Sequence, residues 1–507
     1  MRAGSAFQVA AAALCAAIGF GLGCGRTPTG PEARPTVQNP APIAPNPDAL
    51  GPSALPTAAT AAQATADAAQ APRGPSPDGA LQLAFAATAT DAALAALEAA
   101  MRGGVGHDDL RQALVIGHAI VASPASETEQ LSAFLRLERA LDGGERLEIL
   151  LHMLARHRDA LQRHGVAPAA DATLRQPLRT LDKEGLQARL EHDFVAGART
   201  KVAAALRVTF EEDGQESVSD ALIRIAAAED GAKGRLSVAA VSALRLLEAT
   251  QYRDAGPMLE RVGMMLPGGA TAQPARRLEA QRLAAAFPGR FADGAPADPN
   301  PASSAALRDM AATLRGRAMP AAGDALLQEV RAALVKGEPA QALWDGLILA
   351  GHDLVGPHDP DGEAFRLVHA LRLVGERAPS SVVRAEVLLQ AARRLGDAIG
   401  AAQVAPPPAP PAGKLGAVRL VVEVQREPDL GAVRRRLALR QVGDAARALA
   451  VAQIEASAML APDLRPDVEE PLHRWVLAAG TAETLPEAPM AEAGRAMIAR
   501  LRAGTRP

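Results

Sequence analysis

Beyond Asp78 the chain settles into stretches of Ala, Leu, Arg and Glu in which apolar residues return every three or four positions. That is the period of an amphipathic helix. The stretch ERLEILLHMLARHRDALQRHG sets Leu147, Leu150, Leu151, Leu154 and Leu161 on one stripe and stops at Gly165, a residue suited to the left-handed turn that ends helices. Ahead of it, Ser126 and Glu129 have the spacing of a reciprocal cap before LSAFLRLERAL, and Gly143 with Gly144 closes that run. Two such helices joined by a short glycine turn predict an antiparallel hairpin.

Similar runs follow, among them DALIRIAAAE, LSVAAVSALRLLEA, DALLQEVRAALVKG, EAFRLVHALRLVGERA and SVVRAEVLLQAARRLGDA. Strand-like alternation is confined to LRVTF from Leu206 and VRLVVEVQRE from Val418, and both are compatible with helix. The predicted fold is therefore all-α, an irregular array of antiparallel amphipathic helix pairs with no repeat of fixed period. A proline cluster at 404–413 separates a helical domain, 79–403, from a C-terminal helical segment, 414–507, expected to pack on the main domain. A looser zone, Pro267 to Pro301, interrupts the main domain around one helix.

Upstream of the helices, residues 24–78 are mostly Pro, Ala, Thr, Asn and Gly, with closely spaced prolines from Pro28 to Pro47. Proline removes backbone donors, and the tract lacks large apolar groups to offset the entropy of ordering, so an extended tether is expected.

Composition refines this picture. Hydrophobic residues make up 48% of the 507 but aromatics only 2%, so the core must be built from Ala, Leu and Val, side chains that let helices approach closely. A net charge of -3 offers no bulk attraction for nucleic acid and excludes it as an expected partner. Cys15 and Cys24 are the only cysteines, which rules out a disulfide framework or cysteine-rich zinc site in the helical body.

Phosphate-cradling, dinucleotide, zinc-protease, nucleophile-elbow and complete calcium-loop spacings are all absent from the sequence, and no cofactor is expected. The densest polar constellation is GHDLVGPHDPDGEAF, with His352, Asp353, His358, Asp359, Asp361 and Glu363. Imidazole and carboxylate are good ligands for divalent ions, and His352, His358, Asp359 and Asp361 are the candidate set. Against it stands the commoner arrangement, a polar interhelical loop in which Asp361 and Gly362 start the next helix.

His152, His157 and His164 lie among Arg156, Arg158 and Arg163, which favours a solvated basic face near a helix end over a cation site. Glu191, His192 and Asp193 are consecutive, fan apart on a helix, and are expected at the surface. His118 and His369 sit inside apolar helical stretches. Each is either a hydrogen-bonded core residue or, facing a cavity, a candidate catalytic group.

The N-terminus carries the sharpest signal. After Arg2, the apolar run from Val9 has the length of an export signal and falls short of a membrane span, giving a signal peptide at 1–23. Phe20, Gly21, Leu22, Gly23 and Cys24 resemble a bacterial lipobox, with Gly21 standing where leucine is usual. The resemblance implies acylation of Cys24 and a lipid-anchored protein of the bacterial cell envelope. Gly25 at the next position implies delivery to the outer membrane under the enteric sorting rule, the leaflet staying open. The alternatives are ordinary cleavage nearby or an uncleaved anchor. The implied partners are the membrane, through the lipid, and an envelope protein bound by the body.

Three further pieces, RQALVIGHAIVASPASETEQLSAFLRLERALD, ALWDGLILAGHDLVG with EAFRLVHALRLV, and LRQVGDAARALAVAQIEA, resemble the helical family that includes questin oxidase-like proteins. The resemblance implies a helical oxidoreductase using a nicotinamide cofactor, with His369 matching a family histidine. Where the family has Asp-Ala-His, this chain has Asp444-Ala445-Ala446, followed by Arg447, Ala448 and Leu449. Loss of that imidazole implies lost or altered activity, and an exported protein would not meet a nicotinamide cofactor.

Overall fold

A computed structural model describes residues 84–85, 90–139, 141, 143–167, 172–229, 234–265, 274–291, 301–318, 324–355, 359, 361–404, 444–469, 472 and 497. The signal peptide, Cys24, the tether, His358, the segment from Val418 and nearly all of the proline cluster lie outside them.

The described fold is all-α. Its helices are α1 (Thr90–Arg102), α2 (His107–Ile120), α3 (Ala125–Glu138), α4 (Gly143–His164), α5 (Arg175–Leu178), α6 (Lys183–Val195), α7 (Arg199–Ala228) and α8 (Arg235–Ala249). They continue with α9 (Ala255–Met265), α10 (Pro274–Ala286), α11 (Pro301–Ala318), α12 (Asp324–Lys336), α13 (Ala340–Leu354), α14 (Glu363–Arg377), α15 (Ser381–Val404) and α16 (Asp444–Met459). Among the described residues the only β pairings are isolated bridges, Val121 with Val166 and Val355 with Asp359. The strand-like LRVTF lies within α7. No described helix is long and apolar enough to cross a membrane.

The predicted hairpin of α3 and α4 forms, with Leu147, Leu150, Leu151 and Leu154 buried and Gly165 at φ 71° ending α4. Its cap differs from the expected one. Pro124 precedes α3, so Ser126 falls inside the first turn, and the Glu129 carboxylate is turned instead toward Arg366 at 2.6 Å. Gly143 and Gly144 open α4 rather than close α3, which ends at Glu138.

Two apolar clusters build the interior. One gathers α1 to α4, α6, α9 and parts of α7 and α8; the other gathers α10 to α15. Residues of α7, α8 and α16 enter both: Leu222 and Ile223, Leu244 and Val241, Ile454 and Ala456. Small side chains permit this fusion. A Cβ on Gly263 of α9 would lie 2.4 Å from the Ala203 Cα of α7, so only glycine allows that approach.

The junction of the two clusters is a ring of four helices distant in sequence. Helix α3 packs on α8, α8 on α14, α14 on α16, and α16 back on α3. Residues at the ends of α3, α8 and α14, including Leu137, Ala249 and Arg377, line one cleft, while Ala125, Arg235 and Glu363 from their starts line another. Those three helices therefore run in the same sense.

Candidate functional site

Side chains from three helices of the ring meet on a single carboxylate supplied by the fourth. Glu455 of α16 pairs with Arg136 of α3 and Arg245 of α8, and its Oε2 lies 3.0 Å from His369 Nε2 of α14. Glu455 and Arg245 are 10% and 13% exposed, so water screens the group little. Burial pushes the Glu455 carboxyl up, but Arg245, His369 and Arg136 more than offset it and hold it at about 2. Burial brings the Arg245 guanidinium down to about 10, with Arg136 and Arg377 adding to the depression. Burial likewise lowers His369, which keeps its imidazole neutral at pH 7.

The group lies between two spaces of different size. Toward the C-terminal ends of α3, α8 and α14 a cleft of about 400 Å³ opens, lined by Arg136, Arg139, Arg245, Arg377, Glu248 and Glu455. Behind it, sharing Ser132, Arg136, Arg245 and Val451, is a cavity of about 30 Å³ that His369 lines. That volume holds little more than a water. The buried Nδ1 of His369 has no hydrogen-bond partner there.

His118 of α2 lies elsewhere, 7% exposed, with Nε2 at 2.9 Å from Thr128 Oγ1. It shares a cavity of about 30 Å³ with His157. Burial, then His157 and Arg261, push His118 down to about 3; burial and Arg158 push His157 to about 4. Arg261 and Arg158, the charges beside the two imidazoles, disfavour a cation there. The structure thus corrects the basic-face reading for His157, whose ring packs 5.3 Å from Phe85 and against Gly117. His164 does sit at the outer end of α4, 3.4 Å from Glu127, and His152 lies beside the Phe134 ring at 5.3 Å.

The candidate metal loop is split among separate tasks. His352 is buried in α13 with its ring edge on Phe365, Asp353 takes Arg315 at 2.5 and 2.6 Å, and Asp361 is exposed. Asp359 accepts from the amides of Glu363 and Ala364 at 3.0 and 2.8 Å, which caps α14. Among the described residues no three His, Cys, Asp or Glu side chains are placed to hold a metal ion. Asp193 corrects another surface reading: it is 2% exposed and accepts from Arg189 Nε at 2.7 Å, while Glu191 pairs with Arg224 and Arg277 and His192 stays exposed. Arg447, next to the Asp444-Ala445-Ala446 stretch, is buried with its guanidinium 4.0 Å from the Phe134 ring centre.

A further cleft of about 500 Å³ between α6, α7 and α15 is walled by Leu190, Phe194, Ala221, Ile225 and Val383, with charges at its rim. Of the described spaces, the arginine-walled cleft is the one in which charges from four helices converge, Arg245 and Glu455 largely buried and the others at its rim.

Sequence reasoning singled out His369 and missed its partners. Arg136, Arg245 and Glu455 lie in helical runs whose leucines and alanines dominate the pattern. Arg366, His369 and Arg372 do recur at three-residue spacing along α14, a polar stripe that marks a second buried face. Comparison with known proteins adds no relative: no family model, curated protein or solved structure matches the chain.

Proposed function

We propose that the protein is a lipid-anchored component of the bacterial envelope: Cys24 holds the membrane, the Pro/Ala-rich tract spaces the body from it, and the helical body binds a ligand or partner. The anchor rests on the lipobox-like FGLGC followed at once by a tether-like composition. The binding role rests on one contrast of volume. The charged cleft of the four-helix ring is about 400 Å³, in the size range of small-molecule sites, whereas the cavities beside His369 and His118 are each about 30 Å³. A substrate cannot reach either imidazole without the helices parting.

A diverged oxidoreductase is the second reading, favoured by the His369–Glu455 contact, which orients a neutral imidazole with one nitrogen free. Under that reading, replacing His369 abolishes turnover of an added substrate with a nicotinamide; under the binding reading no turnover exists to lose. Mass spectrometry of the mature N-terminus tests the anchor. An acylated Cys24 is expected, and a free N-terminus at another residue overturns it.

A further inference from the structure

We propose that the cleft at the last turns of α3, α8 and α14 is a binding site for a compact small-molecule polyanion bearing phosphate or carboxylate oxygens. The site rests on the reading of this cleft as the body's binding site, names the ligand class for it, and is independent of the Cys24 anchor.

The first observation is a surplus of fixed positive charge. Four guanidinium groups face the cleft, Arg136, Arg139, Arg245 and Arg377, against two carboxylates. Glu248 is already gripped by Arg377 at 2.6 and 3.3 Å. Glu455 is divided between Arg136, Arg245 and His369. Arg139 has no carboxylate partner among the described residues, and one negative charge at Glu455 cannot neutralise two arginines. The downward shift of both Arg136 and Arg245 has the same origin: burial first, with neighbouring arginines opposing the help of Glu455.

A cation near a helix C-terminus ordinarily answers the exposed carbonyls there. In α8 that demand is met locally. Thr250 Oγ1 donates to the Leu246 and Leu247 carbonyls at 3.2 and 3.1 Å, and the amides of Gln251 and Tyr252 take those of Glu248 and Leu247. Arg245 lies a turn inside the helix end and points to Glu455 instead.

The second observation is geometric. Planar guanidinium forks match the paired oxygens of carboxylate and phosphate, and two or more forks converging on one space favour a ligand with several such oxygens. Those forks come from three different helices, so the ligand would also bridge the two apolar clusters. The rest of the wall, Leu135, Leu246 and Ile454, is buried apolar surface that keeps the local dielectric low. Behind the cleft, the unpartnered Nδ1 of His369, whose side chain is 3% exposed, leaves a polar atom for a bridging water.

The test is calorimetric titration of the purified full chain with inorganic phosphate, pyrophosphate and citrate, and separately with vesicles containing phosphatidylglycerol. Binding of pyrophosphate or citrate, tighter than phosphate and weakened by salt, is expected. Vesicle binding without free-anion binding would assign the charge to a lipid headgroup and overturn the small-molecule site. Charge reversal at the exposed Arg139→Glu or Arg377→Glu should weaken affinity roughly tenfold or more, whereas Arg317→Glu, a surface arginine on α11, should leave it unchanged. Thermal melts verify that each variant folds. Failure of every free anion to bind at about 1 mM, or unchanged affinity in both cleft variants, overturns the proposal. Vesicle binding that Arg139→Glu abolishes would keep the cleft as a binding site while sinking the free polyanion, and the Cys24 anchor, read by mass, is untouched by either result.

Discussion

Two buried ion clusters tie α14 to the segment that contains α16, and they are built on opposite plans. In the first, Arg372 is 1% exposed and donates to Asp345, itself 0% exposed, at 2.9 Å. Asp345 also accepts from Gln341 at 2.9 Å and from the Ala461 amide at 3.3 Å, and Arg372 donates to the Met459 carbonyl. The Arg372 cation meets one buried anion and, 3.5 Å from its Nε, the half-exposed carboxylate of Glu376, and backbone and amide groups fill most of the remaining valences. In the second, one turn back along α14, Glu455 faces two arginines and a histidine and opens on a cleft. A cation answered in full by its own carboxylates closes a structure; two cations sharing one carboxylate leave charge to be answered from outside. The carboxyls record the difference. Burial prevails at Asp345 and raises it despite Arg372, whereas the added cations bring Glu455 down to about 2.

The sharpest break of this comparison is Asp345→Ala. It leaves the buried Arg372 with only the half-exposed Glu376 at 3.5 Å and should cost about 3 kcal/mol, read as a lowered urea midpoint at unchanged slope. Glu455→Gln should cost less, about 1–3 kcal/mol, because Arg136 can turn toward solvent; it is 39% exposed. Equal losses in the two variants would erase the distinction.

Acid titration separates the sites by sign. A carboxyl held at about 2 in the fold, against an ordinary value of 4.5, contributes stability that is present above about pH 4.5 and lost as pH falls toward 2. Glu455→Gln should flatten that limb. Asp345, shifted upward, has the opposite sign: protonation above its unfolded pKa of 3.8 favours the fold, so Asp345→Asn should not remove acid sensitivity.

The sealed histidines act in a higher window. His118 and His157, at about 3 and about 4 against 6.5, bind fewer protons folded than unfolded, so stability falls as pH drops below 6.5. His118→Gln with His157→Gln should reduce the loss between pH 6.5 and 4 in an unfolding series. The smallest effect is expected at Arg377→Ala, whose pair with Glu248 is 40% exposed on both sides; about 0–1 kcal/mol is the usual scale for such pairs. A larger cost would mean that the cleft rim holds the ring together.

Helix type was legible because Leu147, Leu150, Leu151 and Leu154 obey the helical period, and Gly165 stops the run with a left-handed turn. The expected cap at Ser126 does not form because Pro124, two residues earlier, takes the cap position of α3 and Arg366, distant in sequence, draws Glu129 away. His157 was misread because its flanking arginines advertise solvent, while burial depends on Gly117 of a different helix leaving room for its ring. The junction was the least legible feature. Arg136, Arg245, His369 and Glu455 are spread over four helices, and only their packing brings the charges onto one carboxylate. Local periodicity carries no record of such distant contacts.

The most direct test of the unmatched cluster is pyrophosphate affinity measured calorimetrically, at one pH and salt concentration, for wild type and Glu455→Gln. Removing the internal carboxylate frees Arg136 and Arg245 for an external anion, so tighter binding in the variant is predicted even though its fold is less stable. Equal or weaker binding by a folded Glu455→Gln chain would contradict a cleft that seeks negative charge.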